Sequence, residues 1–169
     1  SSERLPETRY IYLSNPIVIY TDITNPASPV MYEFPYTDIL NAQRVDDAIY
    51  FIAQRTGLLK FDIPSKQIIT VIPYELYNIV DFYFLDNNYV LISTGEYFND
   101  GRISINGQGS LLCYSINENK IYKDEKKFGT LLFKNDKIIA SSDNNLLIME
   151  FDKDSKQFYY DTISSLYEE

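Results

Sequence analysis

Histidine is absent from this sequence of 169 residues, and cysteine occurs once, as Cys113. Without histidine the chain lacks the commonest general base, so Ser-His-Asp and Cys-His catalytic arrangements are excluded. One cysteine excludes an intramolecular disulfide and a zinc site of the usual Cys/His type. Because Cys113 lies in an apolar run, we expect it to be a small core residue in a chain suited to a reducing compartment.

Basic residues are also scarce, since 15 Lys and Arg stand against 24 Asp and Glu and give a formal net charge of −9. This balance argues against a broad nucleic-acid footprint, which needs clustered cations, and against binding to an anionic membrane surface. The cluster of Lys123, Lys126 and Lys127 is interpreted as a solvated turn. A long apolar run and a signal peptide are lacking too, and the sequence predicts no membrane span. Because the single cysteine suits a reducing compartment, the expected location is intracellular, cytoplasmic or nuclear.

Motifs that would hold a metal or a phosphate are incomplete. Asp152-Lys-Asp154 offers carboxylate oxygens, but it lacks the glycine and the distal glutamate of a calcium loop, so we interpret it as a turn. Gly101, Gly107 and Gly109 precede no Gly-Lys-Ser/Thr and no predicted helix, which excludes a phosphate loop. We therefore expect no catalytic residue, no cofactor and no metal.

What the sequence does contain is β-forming side chains. The 16 Tyr and 10 Phe suit a pleated, half-buried surface, and no segment of helical length has helical periodicity. The stretch from Ile79 to Ile116 sets the pattern. In it, two apolar runs flank the turn Asp86-Asn-Asn88, and a third run follows a Gly-rich loop, Thr94 to Ser110. The sequence therefore predicts an all-β protein.

An internal repeat extends this pattern of turn, apolar strand, turn, Leu-Leu strand and polar hairpin along the chain. Its copies are residues 46–67, 86–119 and 135–157, with a partial copy at 16–34. The tripeptide Ser-Lys-Gln at 65–67 recurs at 155–157. Units of four strands, spaced by about 40 to 50 residues, are typical of β-propeller blades such as WD40-like repeats. A β-sandwich with coincidental similarity is the alternative.

We predict about three full four-stranded blades plus a partial one, as part of a larger propeller. The predicted blades are residues 9–34, 39–73, 79–123 and 129–163, followed by an acidic tail at 164–169. Equivalent positions in successive blades are assigned to Leu58, Leu112 and Leu147. The outer strand from Lys120 to Tyr122 should form an exposed, polar edge.

The inner strands of the blades should be the most apolar, because neighbouring blades cover both of their faces. Their apolar residues are Val45, Val80, Leu85, Leu131 and Phe133.

Part of the chain resembles a known propeller family. Tyr89-Val-Leu-Ile-Ser-Thr-Gly95 is followed by a loop, Leu111-Leu-Cys-Tyr, Gly129-Thr-Leu-Leu-Phe and Asn135-Asp-Lys-Ile-Ile-Ala-Ser-Ser142. This order resembles the C-terminal propeller region shared by the large subunits of damaged-DNA-binding protein, cleavage-and-polyadenylation specificity factor and a splicing factor. Asp22-Ile-Thr-Asn-Pro-Ala-Ser-Pro-Val30 resembles repeats of bacterial surface propellers instead. Both resemblances imply a propeller, and they imply different biology.

The Gly-rich loop is the best candidate for a binding surface. Its candidate contact residues are Glu96, Tyr97, Phe98, Asp100 and Arg102. Aromatic and arginine side chains are enriched in protein interfaces, and loops on a rigid scaffold often carry function. We therefore predict a non-catalytic scaffold that binds other proteins or the remaining blades of the same propeller.

Two alternative functions stay open at this point. A secreted or cell-surface propeller, including one on a bacterial surface, would bind a ligand or a polysaccharide, and calcium-dependent stabilisation or glycan binding would favour it. An enzyme would need paired carboxylates on a propeller face, for which Asp46, Asp47 and Asp86 are the available residues.

Overall fold

The computed structural model describes residues 8–12, 16–20, 30–33, 39–53, 55–97, 103–104 and 109–165. In this part the chain is all-β, and none of the described residues is helical. The strands are β1 (Thr8–Tyr12), β2 (Pro16–Tyr20), β3 (Val30–Glu33), β4 (Ile39–Val45), β5 (Ala48–Ala53), β6 (Leu58–Asp62), β7 (Gln67–Ile72), β8 (Ile79–Phe84), β9 (Tyr89–Thr94), β10 (Glu96–Tyr97), β11 (Ile103–Ser104), β12 (Leu111–Ser115), β13 (Lys120–Lys123), β14 (Thr130–Lys134), β15 (Lys137–Ser142), β16 (Asn145–Asp152) and β17 (Gln157–Ser165).

These strands form sheets in chain order, and each sheet is an antiparallel meander. The first sheet holds β1 to β3, the second β4 to β7, and the fourth β14 to β17. The third sheet has the order β13-β12-β9-β8, and the hairpin of β10 and β11 lies between β9 and β12 in the chain. The second, third and fourth sheets are four-stranded, as propeller blades are, which confirms the predicted fold class.

Asp and Asn residues make the tight turns of the fourth sheet. Asn135 and Asp136 join β14 to β15, Asp143 and Asn144 join β15 to β16, and all four have positive φ. Two central residues with positive φ define the hairpin turn whose twist matches that of the strands, and Asn and Asp tolerate this conformation best after glycine. The turns predicted for the third repeat therefore form because Asn and Asp residues accept positive φ there.

The recurring Ser-Lys-Gln motif ends two equivalent turns. In the second sheet the carboxylate of Asp62 accepts hydrogen bonds from the backbone N–H and the hydroxyl of Ser65. In the fourth sheet Asp152 accepts a bond of 2.9 Å from the hydroxyl of Ser155. Lys66 and Lys156 then take positive φ, and each donates its N–H to the aspartate carbonyl at 2.8 Å. The sequence repeat is thus a repeat of turn geometry.

Successive four-stranded sheets stack face to face. We call the side of a sheet that meets the next sheet in the chain its forward face, and the opposite side its backward face. One buried cluster joins the forward face of the second sheet to the backward face of the third: Ala48, Tyr50, Ile52, Leu58 and Ile72 against Ile79, Phe82, Phe84, Val90, Ile92, Leu112 and Tyr114. Another joins the third sheet to the fourth: Tyr89, Leu91, Leu111 and Cys113 against Leu131, Ile138, Ala140, Leu147, Met149 and Phe151.

The expectation that the inner strands are covered on both faces is wrong for four of the five residues named for them. Leu131 is buried, but Val45, Val80, Leu85 and Phe133 are only partly buried. All six residues of β5 and of β9, the second strands of their sheets, are buried instead. A second strand has neighbours on both edges as well as on both faces, whereas a first strand has a neighbour on one edge only. The outer strand β13 is polar and partly exposed, as predicted.

The predicted equivalence of three leucines holds for two of them. Leu112 pairs with Ile92 and Leu147 pairs with Ala140, each with the fourth residue of its second strand, and both lie on backward faces. Leu58 pairs with Ile52, the fifth residue, so it lies on a forward face and is one residue out of register. Because side chains alternate along a strand, a shift of one residue moves a side chain to the other face.

Two lysines of the β16–β17 turn join the fourth sheet to the third. Lys153 donates to the carboxylate of Asp86 at 2.6 Å, across the two sheets. Lys156 donates to the hydroxyl of Tyr89, and its ammonium lies 4.5 Å from the centre of the Tyr89 ring. Such cation–π contacts are worth about 0.5–1 kcal/mol at exposed sites and more when desolvated. They add a polar clamp to the apolar packing between the sheets.

The inner edges of the second and third sheets are joined by amide side chains. Asn41 on β4 donates to Asp81 Oδ1 at 2.8 Å and to the carbonyl of Phe82 at 3.2 Å. Gln43 Oε1 accepts a bond from the N–H of Phe84 at 3.2 Å. Because β8 is an edge strand, its outward backbone groups have no partner strand, and these amides supply the hydrogen bonds instead.

Replacing Asp81 by asparagine is expected to raise the melting temperature at pH 7. Burial raises the pKa of Asp81 above its usual value, although hydrogen bonds from Asn41 and from the N–H of Phe82 lower it. The stability that a carboxyl with a raised folded pKa contributes is complete below its unfolded pKa and is lost as the pH rises through the folded value. The amide oxygen still accepts both bonds and the buried charge is gone, so the gain should shrink as the pH falls from 7 towards the unfolded pKa of about 3.9.

Asp86→Asn serves as a control of opposite sign for thermal unfolding. Burial alone would raise the pKa of Asp86, but hydrogen bonds from Lys153 and from the N–H groups of Tyr89 and Asn88 together lower it. A lowered folded pKa adds stability above the unfolded pKa, and this is lost as the pH falls. Asp86→Asn should therefore lower the melting temperature at pH 7. A lower melting temperature for Asp81→Asn as well would contradict a raised pKa of Asp81 in the folded protein.

Candidate interaction surface

The forward face of the fourth sheet is exposed. Along β16 the side chains of Leu147, Met149 and Phe151 are buried against the third sheet, whereas Ile148 and Glu150 between them are exposed. The strand is thus apolar on both sides at its centre, although the described residues cover only one side. Burial of both faces is the usual state of such strands, so the exposure needs an explanation.

An apolar stripe crosses this face from strand to strand. Leu132 pairs with Ile139, and Ile139 pairs with Ile148, so the three side chains lie on one face. Leu132 is 55% exposed and Ile148 is 38% exposed, and Ile139 and Leu146 are partly exposed. We define Leu132, Ile139, Leu146 and Ile148 as the open face. Contiguous exposed apolar surface of this kind marks interaction sites.

Charged side chains border one end of the open face. Lys137 on β15 forms an exposed ion pair with Glu150 on β16, which contributes little stability in water. A shallow recess next to this pair is lined by Lys137, Ile148, Glu150, Tyr159 and Asp161, among others. Charged groups of both signs therefore lie beside the exposed apolar side chain of Ile148.

A β-bulge modifies the outer edge of the same sheet. Leu146 pairs with Ser164 but Leu147 pairs with Thr162, so Ile163 is an extra residue, and its side chain is 51% exposed. Bulges bend an edge strand and make it a poorer template for adding another strand. The face of the fourth sheet is therefore a better candidate for a contact than its edge.

The predicted binding loop is described only in part. Glu96 and Tyr97 form β10, which pairs in antiparallel register with β11, Glu96 with Ser104 and Tyr97 with Ile103. Phe98, Asp100 and Arg102 lie outside the described residues. The backbone thus begins a small hairpin at the position where the sequence places a binding loop.

The base of this loop is held by hydrogen bonds on both sides. Thr94 donates its N–H to the carbonyl of Ser110 at 3.0 Å, and the N–H of Ser110 donates back to the hydroxyl of Thr94 at 3.2 Å. Asn78 donates its side-chain amide to Gly95 at 2.8 Å, and Lys127 donates to the hydroxyl of Ser110 at 2.7 Å. A base fixed in this way sets the direction in which the loop leaves the sheet.

The groups considered for chemistry are not arranged for it. Cys113 is fully buried, and burial raises the pKa of its thiol to about 12, so the reactive thiolate is absent at neutral pH. Asp46 and Asp47 are exposed in the β4–β5 turn, and the carboxylate of Asp86 is engaged by Lys153. Within the described ranges, no three His, Cys, Asp or Glu side chains are grouped to hold a metal ion.

The open face was missed by the sequence reasoning. The signal for it lies in Leu146-Leu-Ile-Met149, which is apolar at four successive positions and therefore on both faces of a strand. The preceding strand repeats this in Ile138-Ile139. Such a run shows that both faces favour burial, but it does not show which of them the chain itself covers.

The stacked four-stranded antiparallel sheets define the class of this protein: an all-β chain built of propeller blades. Among the described residues, no helix has the length and hydropathy to cross a membrane. No protein-family model matches the sequence, and a comparison with curated proteins finds no significant relative.

Solved structures with a similar fold include a crystal structure of the N-terminal domain of Nup159, a β-propeller. Its TM-score is 0.56 at 11% sequence identity, and the match covers 77% of this chain and 31% of that one. A chain from an S. cerevisiae complex of dbp5 with nup159, gle1, ip6 and adp has a TM-score of 0.54 at 10% identity, covering 92% of this chain and 43% of that one.

A third match, an auxiliary nutrient binding protein from Bacteroides thetaiotaomicron, reaches a TM-score of only 0.31 at 7% identity and carries no argument. It covers 79% of this chain and 44% of that one. This chain therefore spans less than half the length of these three structures. The first two structures support a propeller fold, and they lend no specific support to the resemblance to the damaged-DNA-binding protein family.

Proposed function

We propose that this chain is a propeller segment that binds other proteins and performs no catalysis. The open face is the observation that carries the proposal. Its central residues Ile139 and Ile148 are apolar, they are paired across neighbouring strands, and Ile148 is exposed. Exposing such a surface is unfavourable by about 25 cal/mol per Å² of apolar area, so a protein surface that covers it gains free energy.

The loop from 94 to 110 is the second part of the proposed binding surface. Its base is fixed by the hydrogen bonds at Thr94 and Ser110, so binding a partner would not require ordering of the base. Glu96, Tyr97, Phe98, Asp100 and Arg102 are the proposed contact residues, because they combine aromatic and charged groups in a short segment.

The proposed setting is a larger intracellular assembly, cytoplasmic or nuclear. The single buried cysteine suits a reducing compartment, and the net charge of −9 favours protein partners over nucleic acid. One structure of similar fold comes from a complex of several proteins. That complex agrees with a role in an assembly and does not identify a partner for this chain.

Replacing Tyr97, Phe98 and Arg102 together by alanine is expected to weaken partner binding without unfolding the protein. Exposed loop substitutions usually change stability by under about 0.5 kcal/mol, whereas loss of interface aromatics and arginine commonly costs more than about 1 kcal/mol of binding energy. Tagged parent and variant proteins, purified from the same cells, should differ at least about fivefold in the recovery of specific partners, which mass spectrometry quantifies.

A matched control replaces Gln67, Ile69 and Thr70 by alanine, three exposed residues of β7 in the second sheet. Their replacement should leave partner recovery within about twofold of the parent, and circular dichroism should show that both variants are folded. Equal recovery of every partner with the loop variant would remove the loop from the proposed surface. Turnover of a small molecule by the purified protein would refute the non-catalytic proposal.

A further inference from the structure

We propose that the open face is the docking surface of a further propeller blade, a four-stranded antiparallel sheet of the same propeller in addition to the sheets that the described residues form. The inference rests on the proposed function and specifies the occupant of one part of its surface. The new blade is expected to stack on the fourth sheet in the same way as the fourth sheet stacks on the third.

The equivalence of positions in successive sheets carries this inference. In the third sheet Leu91 pairs with Cys113 at the centre of the forward face, and the fourth sheet covers both completely. In the fourth sheet Ile139 pairs with Ile148 at the corresponding place, since Leu91 and Ile139 are each the third residue of a second strand. The same central pair is therefore buried in one sheet and uncovered in the next.

The inner strands repeat the comparison. Tyr83 pairs with Leu91 on the forward face of the third sheet, and its hydroxyl donates to Asp136 of the fourth sheet at 3.2 Å. Leu132 pairs with Ile139 and so holds the position of Tyr83 in the fourth sheet. The inner strand of the docked blade is thus expected to contact Leu132, which is 55% exposed.

The outer strands indicate how far such a blade would reach. Of the ten residues of the outer strands β7 and β13 only Ile72 is buried, whereas the second strands of the same sheets are completely buried. A docked blade should therefore bury Ile139 and Ile148 and leave Tyr159 on β17 accessible. An extended peptide added to β17 would give the reverse pattern, and the bulge at Ile163 disfavours it.

Cysteine labelling tests this arrangement, because the natural Cys113 is buried and does not react at neutral pH. Ile148→Cys and Leu132→Cys report on the open face, Tyr159→Cys on the outer strand, and Lys120→Cys on the exposed edge of the third sheet. Each variant is labelled with a maleimide twice, once as the isolated 169-residue chain and once in its native assembly within the source cells.

The expected result for the Ile148→Cys and Leu132→Cys variants is labelling at least about tenfold slower in the native assembly than in the isolated chain, since a covered residue reacts only after local opening. For the Lys120→Cys and Tyr159→Cys variants the labelling rate should change by less than about twofold. Leu132→Cys and Ile148→Cys are both substitutions of exposed side chains, so either one suffices if the other fails to fold, as circular dichroism would reveal.

Other outcomes would overturn the inference. Unchanged labelling at both open-face positions would show that nothing docks there. Slow labelling in the isolated chain together with a doubled mass in light scattering would assign the face to a second copy of this chain. Protection at residue 159 alone would indicate strand addition at β17. None of these results depends on the loop variant, whose partner recovery tests the proposed function separately.

Discussion

Replacing Leu112 by alanine is expected to lower the free energy of unfolding by about 2–5 kcal/mol. Leu112 is fully buried in the cluster that joins the second sheet to the third, and it pairs with Ile92 on the neighbouring strand. Alanine would leave a cavity between the two sheets, and the sheets could not close it without disturbing their stacking. Urea denaturation, followed by circular dichroism, measures the change.

Leu132→Ala is the matched control, because it deletes the same atoms from an exposed side chain of the open face. Its effect on the isolated chain should be under about 0.5 kcal/mol. Similar losses from both substitutions would show that the fourth sheet is covered in solution by part of the chain itself, and would argue against an open face.

The sequence predicts the strands of this protein well because their limits are set locally. Asn and Asp at 135, 136, 143 and 144 adopt positive φ at little cost, so the hairpins they form depend on no distant part of the chain. The repeated turn from Asp62 to Lys66 is equally local, with its carboxylate bonded to Ser65. Local chemistry of this kind can be predicted from one sequence without an alignment.

Register and coverage depend on distant contacts, and there the prediction is incomplete. The adjacent leucines Leu58 and Leu59 are both apolar, and only the pairing of Leu58 with Ile52 decides that Leu58 points to the third sheet. The run from Leu146 to Met149 carries the same ambiguity. Alternation along a strand defines its two faces, but contacts between sheets decide whether each face is covered.

The candidate site illustrates the same limit. The sequence indicated a loop with aromatic and charged residues, and the described backbone adds a short hairpin at Glu96 and Tyr97. The hydrogen bonds that fix its base come from Asn78 and Lys127, which lie 17 residues away from their partners Gly95 and Ser110. No local pattern connects these residues, so the anchored base could not be predicted, and the loop contacts themselves stay a prediction.

Replacing Gly57 by alanine is expected to cost about 2–5 kcal/mol of unfolding free energy, from backbone strain and overpacking together. Gly57 has φ of +75°, a left-handed conformation that costs an L-residue about 1–2 kcal/mol. A Cβ atom there would also lie 2.1 Å from the carbonyl oxygen of Ile72 and 2.7 Å from the backbone nitrogen of Tyr74. These are backbone atoms, so the β6–β7 pairing must shift, and overpacking of this kind costs about 1–3 kcal/mol more.

Gly129→Ala tests whether this cost comes from the backbone of Gly57 or from adding a methyl group to any glycine. A Cβ at Gly129 would meet the side-chain oxygen of Ser141 at 3.1 Å, and a serine side chain can rotate away. The control should therefore lose less than about 1 kcal/mol in the same urea denaturation. Gly57→Ala should in addition speed hydrogen exchange at Leu58 and Ile72, which pair across β6 and β7. Equal losses at both glycines, with unchanged exchange at this pair, would refute the role assigned to the close approach at Gly57.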